Sequence, residues 1–465
     1  MASNFVALSA AEVACRAISV GVTMYLAKKL GTAGFGRVEF AFNVVFWLVL
    51  LVREGIDIIA SREIARHPRI VRPLVNHILA IRGTLAAVLL TALLAIGGLT
   101  LSDPLDRSVL GLYGLMLLTT AMGLDFVYRG LERMWLVAFS LAVRTAVYAL
   151  GVALLVYDPT RLALVPVCLV SGEAIGIALI WWRYVRQFGW PRPTVRGSRR
   201  LEVFLHRVRP VYFVRVSLAI IGASDLLVVG LMSSWSDVGR YGAPHRMVTA
   251  VLTFGLIFQQ VVFPSLARSW RDDAATGRQA LDALVRVLVL GLAPVTIGVI
   301  VLAGPLVRSL LPGEYTDAGL LLALGIWRAP LLTLAYLYQT SLIAMNRASS
   351  GVRLLMVGAL GSGPLVALLQ WSFGLPGAAV AMILTGLALV VAGHRLLARD
   401  GRQPAWHHHL ATPALACVPM AAICLALRGA PVPWAVAGGA LAYGTTLTLL
   451  GGLRRSDLMS VLGGG

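Results

Sequence analysis

From residue 5 onward the chain alternates between apolar stretches of about 20 residues and short polar segments that carry most of its arginines. An α-helix rises 1.5 Å per residue, so about 20 apolar residues cross a hydrocarbon layer of roughly 30 Å. The pattern predicts spans at about 5–27, 38–59, 78–100, 108–126, 135–157, 161–182, 211–234, 243–267, 284–306, 318–345, 351–371, 375–397, 408–428 and 431–452. Inside a bilayer every backbone N–H and C=O must find a partner within the protein, which spans of this length achieve as helices. The expected fold is an all-α integral membrane protein of about 14 transmembrane helices, bathed in membrane lipid.

Composition agrees. The 465 residues are 58% hydrophobic and 13% charged, with a mean hydropathy of +0.82, against roughly 25% charged residues in soluble domains. A net charge of +19 in a soluble chain would suggest nucleic acid. Here the arginines sit between apolar runs, as the positive-inside rule requires, and no nucleic-acid partner is expected. With the N-terminus cytoplasmic, the cytoplasmic segments hold 24 basic residues and the opposite segments eight. That bias also favours an even number of spans with both termini cytoplasmic, and the localisation expected is a bacterial inner membrane. Cys15, Cys168, Cys417 and Cys424 lie inside apolar runs without metal-ligand or disulfide spacing, and read as small buried hydrophobes. The first run carries Glu12 and Arg16 and has no basic leader or cleavage site, so it reads as a retained helix.

The segment 183–210, with WPRPTVRGSRR and eight arginines, reads as a basic cytoplasmic linker. It separates an N-terminal six-helix bundle (1–182) from a second one (211–397), and residues 398–465 add two helices and a short tail. The halves are weakly similar: AGFGRVEFAFNV (33–44) and SDVGRYGAPHRM (236–247) place Gly36-Arg37 and Gly239-Arg240 between the first and second helix of each half. Six helices per half makes the repeats parallel, related by an axis along the membrane normal, an architecture with a central cavity between bundles.

Four stretches in order carry a family resemblance. LAKKLGTAGFGRVEFAFNVVFWLVLLVREGIDIIASREIAR (26–66) resembles the N-terminal signature of polysaccharide flippases, the Wzx-type branch of the multidrug/oligosaccharidyl-lipid/polysaccharide exporter superfamily. LDFVYRGLERMWLVA (124–138), SDLLVVGLMSSWSDVGRYGAPHRM (224–247) with FPSLAR, and LLPGEYTDAGLLLALGIW (310–327) with SLIAMNR also look like that family. The resemblance implies export of polyprenyl-diphosphate-linked oligosaccharide from the cytoplasmic to the periplasmic leaflet by alternating access, beside a polysaccharide polymerase machinery. It also implies a monomer, with no catalysis and no cofactor.

Independently of the family, the spans hold many ionisable residues, among them Glu12, Arg16, Arg53, Glu54, Asp57, Arg82, Asp125, Arg144, Glu173, Arg215, Asp225, Arg246, Arg286 and Arg328. Each costs roughly 2.5–3.5 kcal/mol on insertion scales, so such residues face a partner or a cavity. Glu12 and Arg16 are four apart, on one helix face in the favourable order. Arg53 is placed to meet a substrate phosphate or to pair with Asp57. Arg328 has no acid nearby in sequence. Guanidinium stays charged and grips phosphate oxygens in pairs, which suits a diphosphate cargo. The candidate substrate-binding residues are therefore Arg16, Arg53, Arg246 and Arg328, and the candidate coupling acids are Glu12 and Asp225. The resemblance matches Asp225 to an acid the family often carries, and Arg246 to a basic cavity position. His245 departs from the family pattern and reads either as a helix-end histidine or as a titratable group.

Other classes remain open at this level. A cation-coupled multidrug antiporter of the same superfamily would need free carboxylates in its cavity. A lipid II flippase would share a cationic one. An enzyme is not expected, since no nucleophile–base constellation, phosphate-cradling glycine loop or metal signature is found. His407, His408 and His409 are adjacent and point different ways on a helix, so no metal site is expected there. Trp181 and Trp182 with Tyr184 read as an interfacial belt.

Overall fold

The computed structural model describes residues 2–193, 199–399 and 401–451. In chain order its helices are α1 (Ala2–Arg53), α2 (Ile56–Arg66), α3 (Val71–Thr100), α4 (Pro104–Ala121), α5 (Asp125–Gly130), α6 (Met134–Leu155), α7 (Leu164–Phe188) and α8 (Arg199–Met232). There follow α9 (Trp235–Asp272), α10 (Ala274–Leu310), α11 (Ala318–Gly325), α12 (Arg328–Ala344), α13 (Ala348–Ala398), α14 (Trp406–Ala426) and α15 (Val432–Leu449). No strand occurs among the described residues, and nine helical segments there are long and apolar enough to cross a membrane. The protein is an all-α, multi-pass membrane protein.

Two of the helices are too long for one crossing. The 51 residues of α13 measure about 76 Å at 1.5 Å per residue, more than twice a hydrocarbon core. Gly374 breaks it with φ 65° and ψ −150°, a left-handed conformation open to glycine at little cost. A Cβ on Gly377 would stand 2.0 Å from the Leu369 carbonyl, so a second glycine lets the two arms meet. Likewise the 52-residue α1 breaks at Gly31, φ 68°. Prolines do less: Pro294, Pro305 and Pro364 all lie inside continuous helices, where side chains or neighbouring helices satisfy the freed carbonyls. The span expected at 38–59 ends earlier. Gly55, at φ 75°, stops the helix after Arg53 and starts α2, so Asp57 belongs to a separate short helix.

The chain divides into two compact units: Met1–Ala219 with Ser233–Gly239, and Ile220–Met232 with Arg240–Gly465. In the first unit α1 packs on α4 and α6, α3 on α4, and α6 on α7. A core of Ile59, Ile64, Val75, Phe126, Tyr128 and Tyr184 takes in Phe204 and Val208 from the start of α8, which ties the end of the basic segment to this unit. In the second unit α12 packs on α13, and α10 on α11, α12 and α14. The terminal pair α14 and α15 seats Cys417, Met420, Cys424 and Tyr443 against α10, where the Tyr443 hydroxyl donates to the Leu290 carbonyl at 2.8 Å. All four cysteines are buried and unoxidised. The side chains of His407, His408 and His409, together with Arg454 and Arg455, lie outside the described residues. Among the described residues no group of three His, Cys, Asp or Glu is placed to hold a metal.

The two Gly-Arg repeats meet within the first unit. A Cβ on Gly36 would lie 1.8 Å from the Trp235 carbonyl oxygen, and one on Gly239 would lie 2.0 Å from that of Thr32. The Thr32 and Ser236 hydroxyls bond at 2.8 Å, and the rings of Phe40 and Trp235 close the contact at 5.4 Å. This is the close-approach role of small residues in membrane helix packing.

Candidate functional site

Each unit holds its buried charge as arginine–carboxylate clusters. In the first unit Asp57 accepts from two arginines: Arg82 Nη2 at 2.6 Å on one oxygen and Arg53 Nε at 2.8 Å on the other. Arg82 is 1% exposed and also donates to the carbonyls of Arg53 (3.2 Å) and Gly123 (3.5 Å). Arg53 differs, because its side chain as a whole is 40% exposed and its Nε is the atom that engages Asp57. The break at Gly55 brings this about, turning the chain so that Asp57 on α2 points back at the end of α1.

A second cluster sits alongside. Arg144 on α6 donates to both oxygens of Asp125, at 3.0 and 3.1 Å, and to Glu173 on α7 at 3.3 Å. Glycine makes room for it. A Cβ on Gly176 would stand 2.2 Å from Arg144 Cγ, and one on Gly172 would stand 2.6 Å from the Arg144 carbonyl. Gly172 and Gly176, four apart, therefore form a groove on α7 into which α6 and its arginine settle. Nearer the surface, Arg215 pairs with Glu54 at 3.1 Å, and Arg207 with Glu63 at 2.5 Å. At the start of α4, Arg37 from α1 holds Asp103 at 2.5 Å and Asp106 at 3.1 Å. The Asp103 carboxyl lies below the usual carboxylate range because it accepts first from Arg37 and then from the Leu105 amide.

In the second unit one acid gathers three polar partners. Asp225 on α8 is fully buried, and its Oδ2 accepts from Arg328 Nη1 at 2.8 Å and from the Tyr241 hydroxyl at 2.8 Å. His245 Nδ1 lies 3.1 Å from the same oxygen and 3.3 Å from Arg328 Nη1. Arg328 also donates to the carbonyls of Ile221 and Gly222. Two buried atoms of this cluster, Asp225 Oδ1 and Arg328 Nε, have no hydrogen-bond partner. A shallow concavity lies over it, lined by Tyr241, Pro244, His245, Val248, Leu321, Gly325 and Arg328.

The structure thus brings Asp225 and Arg328 together and pairs Arg53 with Asp57. Arg16 is exposed on the first arm of α1, with Glu12 within electrostatic reach. Arg246 follows His245 on α9 and is half-buried. The acid absent from the sequence neighbourhood of Arg328 comes from α8, 103 residues away. Tyr241 escapes a search for charged residues; its position one turn before His245 on the same helix is the signal that points to it.

The comparisons with known proteins follow from this geometry. A family model described as polysaccharide biosynthesis protein matches residues 1–270. The chain belongs to that family. A search of curated proteins finds no match to the sequence. Among solved structures, a lipid II flippase, MurJ, in an inward closed conformation superposes with a TM-score of 0.76 at 13% identity, covering 97% of this chain and 99% of that one. An inward-facing multidrug resistance MATE family transporter of the MOP superfamily superposes with a TM-score of 0.66 at 12% identity, over 83% of this chain and 96% of that one. A MATE protein in complex with MaL6 gives a TM-score of 0.59 at 10% identity, over 85% and 96%. This member of the polysaccharide biosynthesis family therefore shares its fold with a lipid II flippase and with MATE family transporters.

Proposed function

We propose that the chain flips a polyprenyl-diphosphate-linked oligosaccharide from the cytoplasmic to the periplasmic leaflet of a bacterial inner membrane, by alternating access, for surface or extracellular polysaccharide. Both termini are cytoplasmic, the protein works as a monomer beside a polymerase machinery, and the polyprenyl tail stays in lipid while headgroup and phosphates cross. The observation that carries this reading is the state of three acids largely withdrawn from solvent: Asp57, Asp125 and Asp225 each hold an arginine. A cation exporter needs carboxylates free to bind its cargo. Arginines held by carboxylates instead present positive charge that an anionic headgroup can take over. In the first unit Arg53, with its half-exposed side chain, and Arg16 are the phosphate contacts with Glu12 as the coupling acid; in the second unit Arg246 and Arg328 are the phosphate contacts with Asp225 as the coupling acid.

The test is complementation. A host lacking its Wzx-type flippase expresses this chain, or the chain with Arg16, Arg53, Arg246 or Arg328 changed to Ala, and surface polysaccharide is scored against membrane protein level. Restoration by the parent chain and its loss in the arginine variants at equal expression is the expected result. Rescue of a lipid II flippase deletion instead, or drug resistance without any polysaccharide, overturns the assignment of cargo.

A further inference from the structure

The buried cluster of the second unit has the geometry of a switch, because one ring nitrogen faces both an acid and a base. His245 Nδ1 lies 3.1 Å from Asp225 Oδ2 and 3.3 Å from Arg328 Nη1. Unprotonated, that nitrogen can accept from Arg328 and cannot donate to Asp225. Protonated, it donates to Asp225 and repels Arg328. The protonated nitrogen therefore competes with Arg328 for one carboxylate oxygen, Asp225 Oδ2, which Arg328 Nη1 holds at 2.8 Å. We infer that Asp225, His245 and Arg328 form a proton-binding site in which a proton on His245 displaces Arg328 from Asp225 and frees its guanidinium to bind an anionic phosphate at the concavity that His245 and Arg328 line. This inference rests on the flippase reading for the identity of the anion, and names the coupling ion for that reading.

Charge balance supports it. Asp225 and Arg328 together are neutral, and they are 0% and 3% exposed. Adding a proton to His245 leaves the triad with one uncompensated positive charge away from water, which is costly until something leaves or an anion arrives. The aspartate–imidazolium pair is neutral in turn, so the guanidinium is the group that can go. Arg328 and His245 both line the concavity and Asp225 does not, so a guanidinium released from the acid is already on the side from which an anion arrives. Two buried atoms, Asp225 Oδ1 and Arg328 Nε, are unpartnered, so the clamped state leaves bonding capacity unused on both sides of the exchange.

The surroundings add few competing charges. From its own helix His245 is faced by Tyr241, which donates to Asp225 at 2.8 Å, and is followed by Arg246. From α8 it meets Asp225 and from α12 Arg328, with Tyr336 within electrostatic reach of Arg328. Helix α11 contributes Leu321 and Gly325, neither of which titrates. Imidazole is the side chain suited to changing charge near neutral pH. Linkage then makes the coupling reciprocal: the anion is bound more tightly when the proton is on, and the proton more tightly when the anion is bound.

The test uses the full chain in lipid nanodiscs and farnesyl-diphosphate-linked N-acetylglucosamine, whose phosphates are both esterified and keep a fixed charge. Affinity is measured by calorimetry from pH 5.5 to 8.5 in buffers of different ionisation heat. The parent chain should bind up to about tenfold tighter per pH unit lowered, with close to one proton taken up per probe bound. His245→Gln should bind weakly without pH dependence or proton uptake. Asp225→Asn, which frees Arg328 permanently, should bind tightly at every pH. Equal proton uptake by the parent and His245→Gln overturns the inference. Should the probe not bind at any pH, the cargo reading fails, and the switch is read without ligand. Nitrogen-15 signals of the His245 ring and the Arg328 guanidinium, assigned with His245→Gln and Arg328→Lys, must then change together as pH falls. An Arg328 signal that stays constant while His245 titrates refutes the exchange, and this readout also serves if Asp225→Asn fails to fold.

Discussion

Asp57 serves two arginines, and the structure predicts that they matter in different ways. Arg82 is 1% exposed and Arg53 40% exposed, yet each bonds one oxygen of the same carboxylate. Changing Asp57 to Asn leaves Arg82 as a buried charge without a counter-ion. Breaking a buried pair from one side costs about 3–5 kcal/mol, and the carbonyls of Arg53 and Gly123, which Arg82 keeps, place the loss near the lower end, about 3 kcal/mol. Arg53→Ala removes a half-exposed pair, worth at most about 1 kcal/mol, and leaves Arg82 with its acid. The four buried cysteines give the assay: a thiol-reactive dye reports unfolding of the detergent-solubilised protein on heating. With an unfolding entropy of about 2.1 cal/mol/K per residue, a loss of about 3 kcal/mol lowers the apparent Tm by about 3–6 °C, according to whether the whole chain or roughly half of it unfolds together. Arg53→Ala should lower it by about 1–2 °C or less while abolishing polysaccharide export. In a double-mutant cycle, Asp57→Asn with Arg82→Met should cost less than the two single losses added, by about 2 kcal/mol. Equal Tm losses for Asp57→Asn and Arg53→Ala, or strict additivity in the cycle, refutes the division of labour.

Gly36→Ala and Gly239→Ala each drive a Cβ to within about 2 Å of a backbone carbonyl, which no rotamer change relieves; each should cost about 1–3 kcal/mol in the same melting assay, whereas Gly21→Ala, with nothing within 4 Å, should not destabilise. Tyr241→Phe removes a hydroxyl donated to a fully buried carboxylate and should cost about 1.5–3 kcal/mol, a loss that Tyr241→Leu should exceed because packing goes with it. Asp103 titrates below the usual carboxylate range because it accepts first from Arg37 and then from the Leu105 amide. The stability this gives is present above the ordinary carboxylate value and is lost as pH falls through the lowered one, so Arg37→Gln should flatten the acid side of the Tm–pH profile; an unchanged profile refutes the assignment.

The membrane architecture was legible because apolar runs of span length leave little alternative, and the long helices fall where those runs are. The positions of the breaks were less so. Proline is the expected punctuation, yet Pro294, Pro305 and Pro364 lie within continuous helices while Gly31, Gly55 and Gly374, at positive φ, set the reversals. Nothing in a single sequence distinguishes a glycine that must take a left-handed conformation from one that merely fits close packing, such as Gly176 under Arg144. The charged residues inside the spans were visible by type, and the Arg53–Asp57 pair by its spacing of four. The partners of Arg328 and Arg144 were not, because they come from helices 103 and 19 residues away in sequence, and such pairing is decided by which helix faces pack together.

These pairings bear on how a flippase can carry an anion through a low-dielectric region at all. A cavity lined by unpaired arginines would be costly to insert and hard to vacate, since a diphosphate would exchange its water for a permanent electrostatic trap. On the proposed reading, with a carboxylate on each buried arginine, the headgroup substitutes for an internal anion. The guanidinium keeps two or more charge-assisted bonds before and after, and the net change in free energy is the small difference between two large terms. That arrangement also selects. On the same reading a headgroup would displace Asp57 from Arg53, or occupy Arg328 once Asp225 is otherwise satisfied, only if it offered a fork of oxygens that a neutral sugar or a lone cation lacks. On this argument replacing Arg53 by Lys should reduce transport nearly as much as replacing it by Ala, because Lys keeps the charge and loses the fork. Full export by Arg53→Lys, measured at matched expression in the complementation strain, would mean that charge alone carries the headgroup.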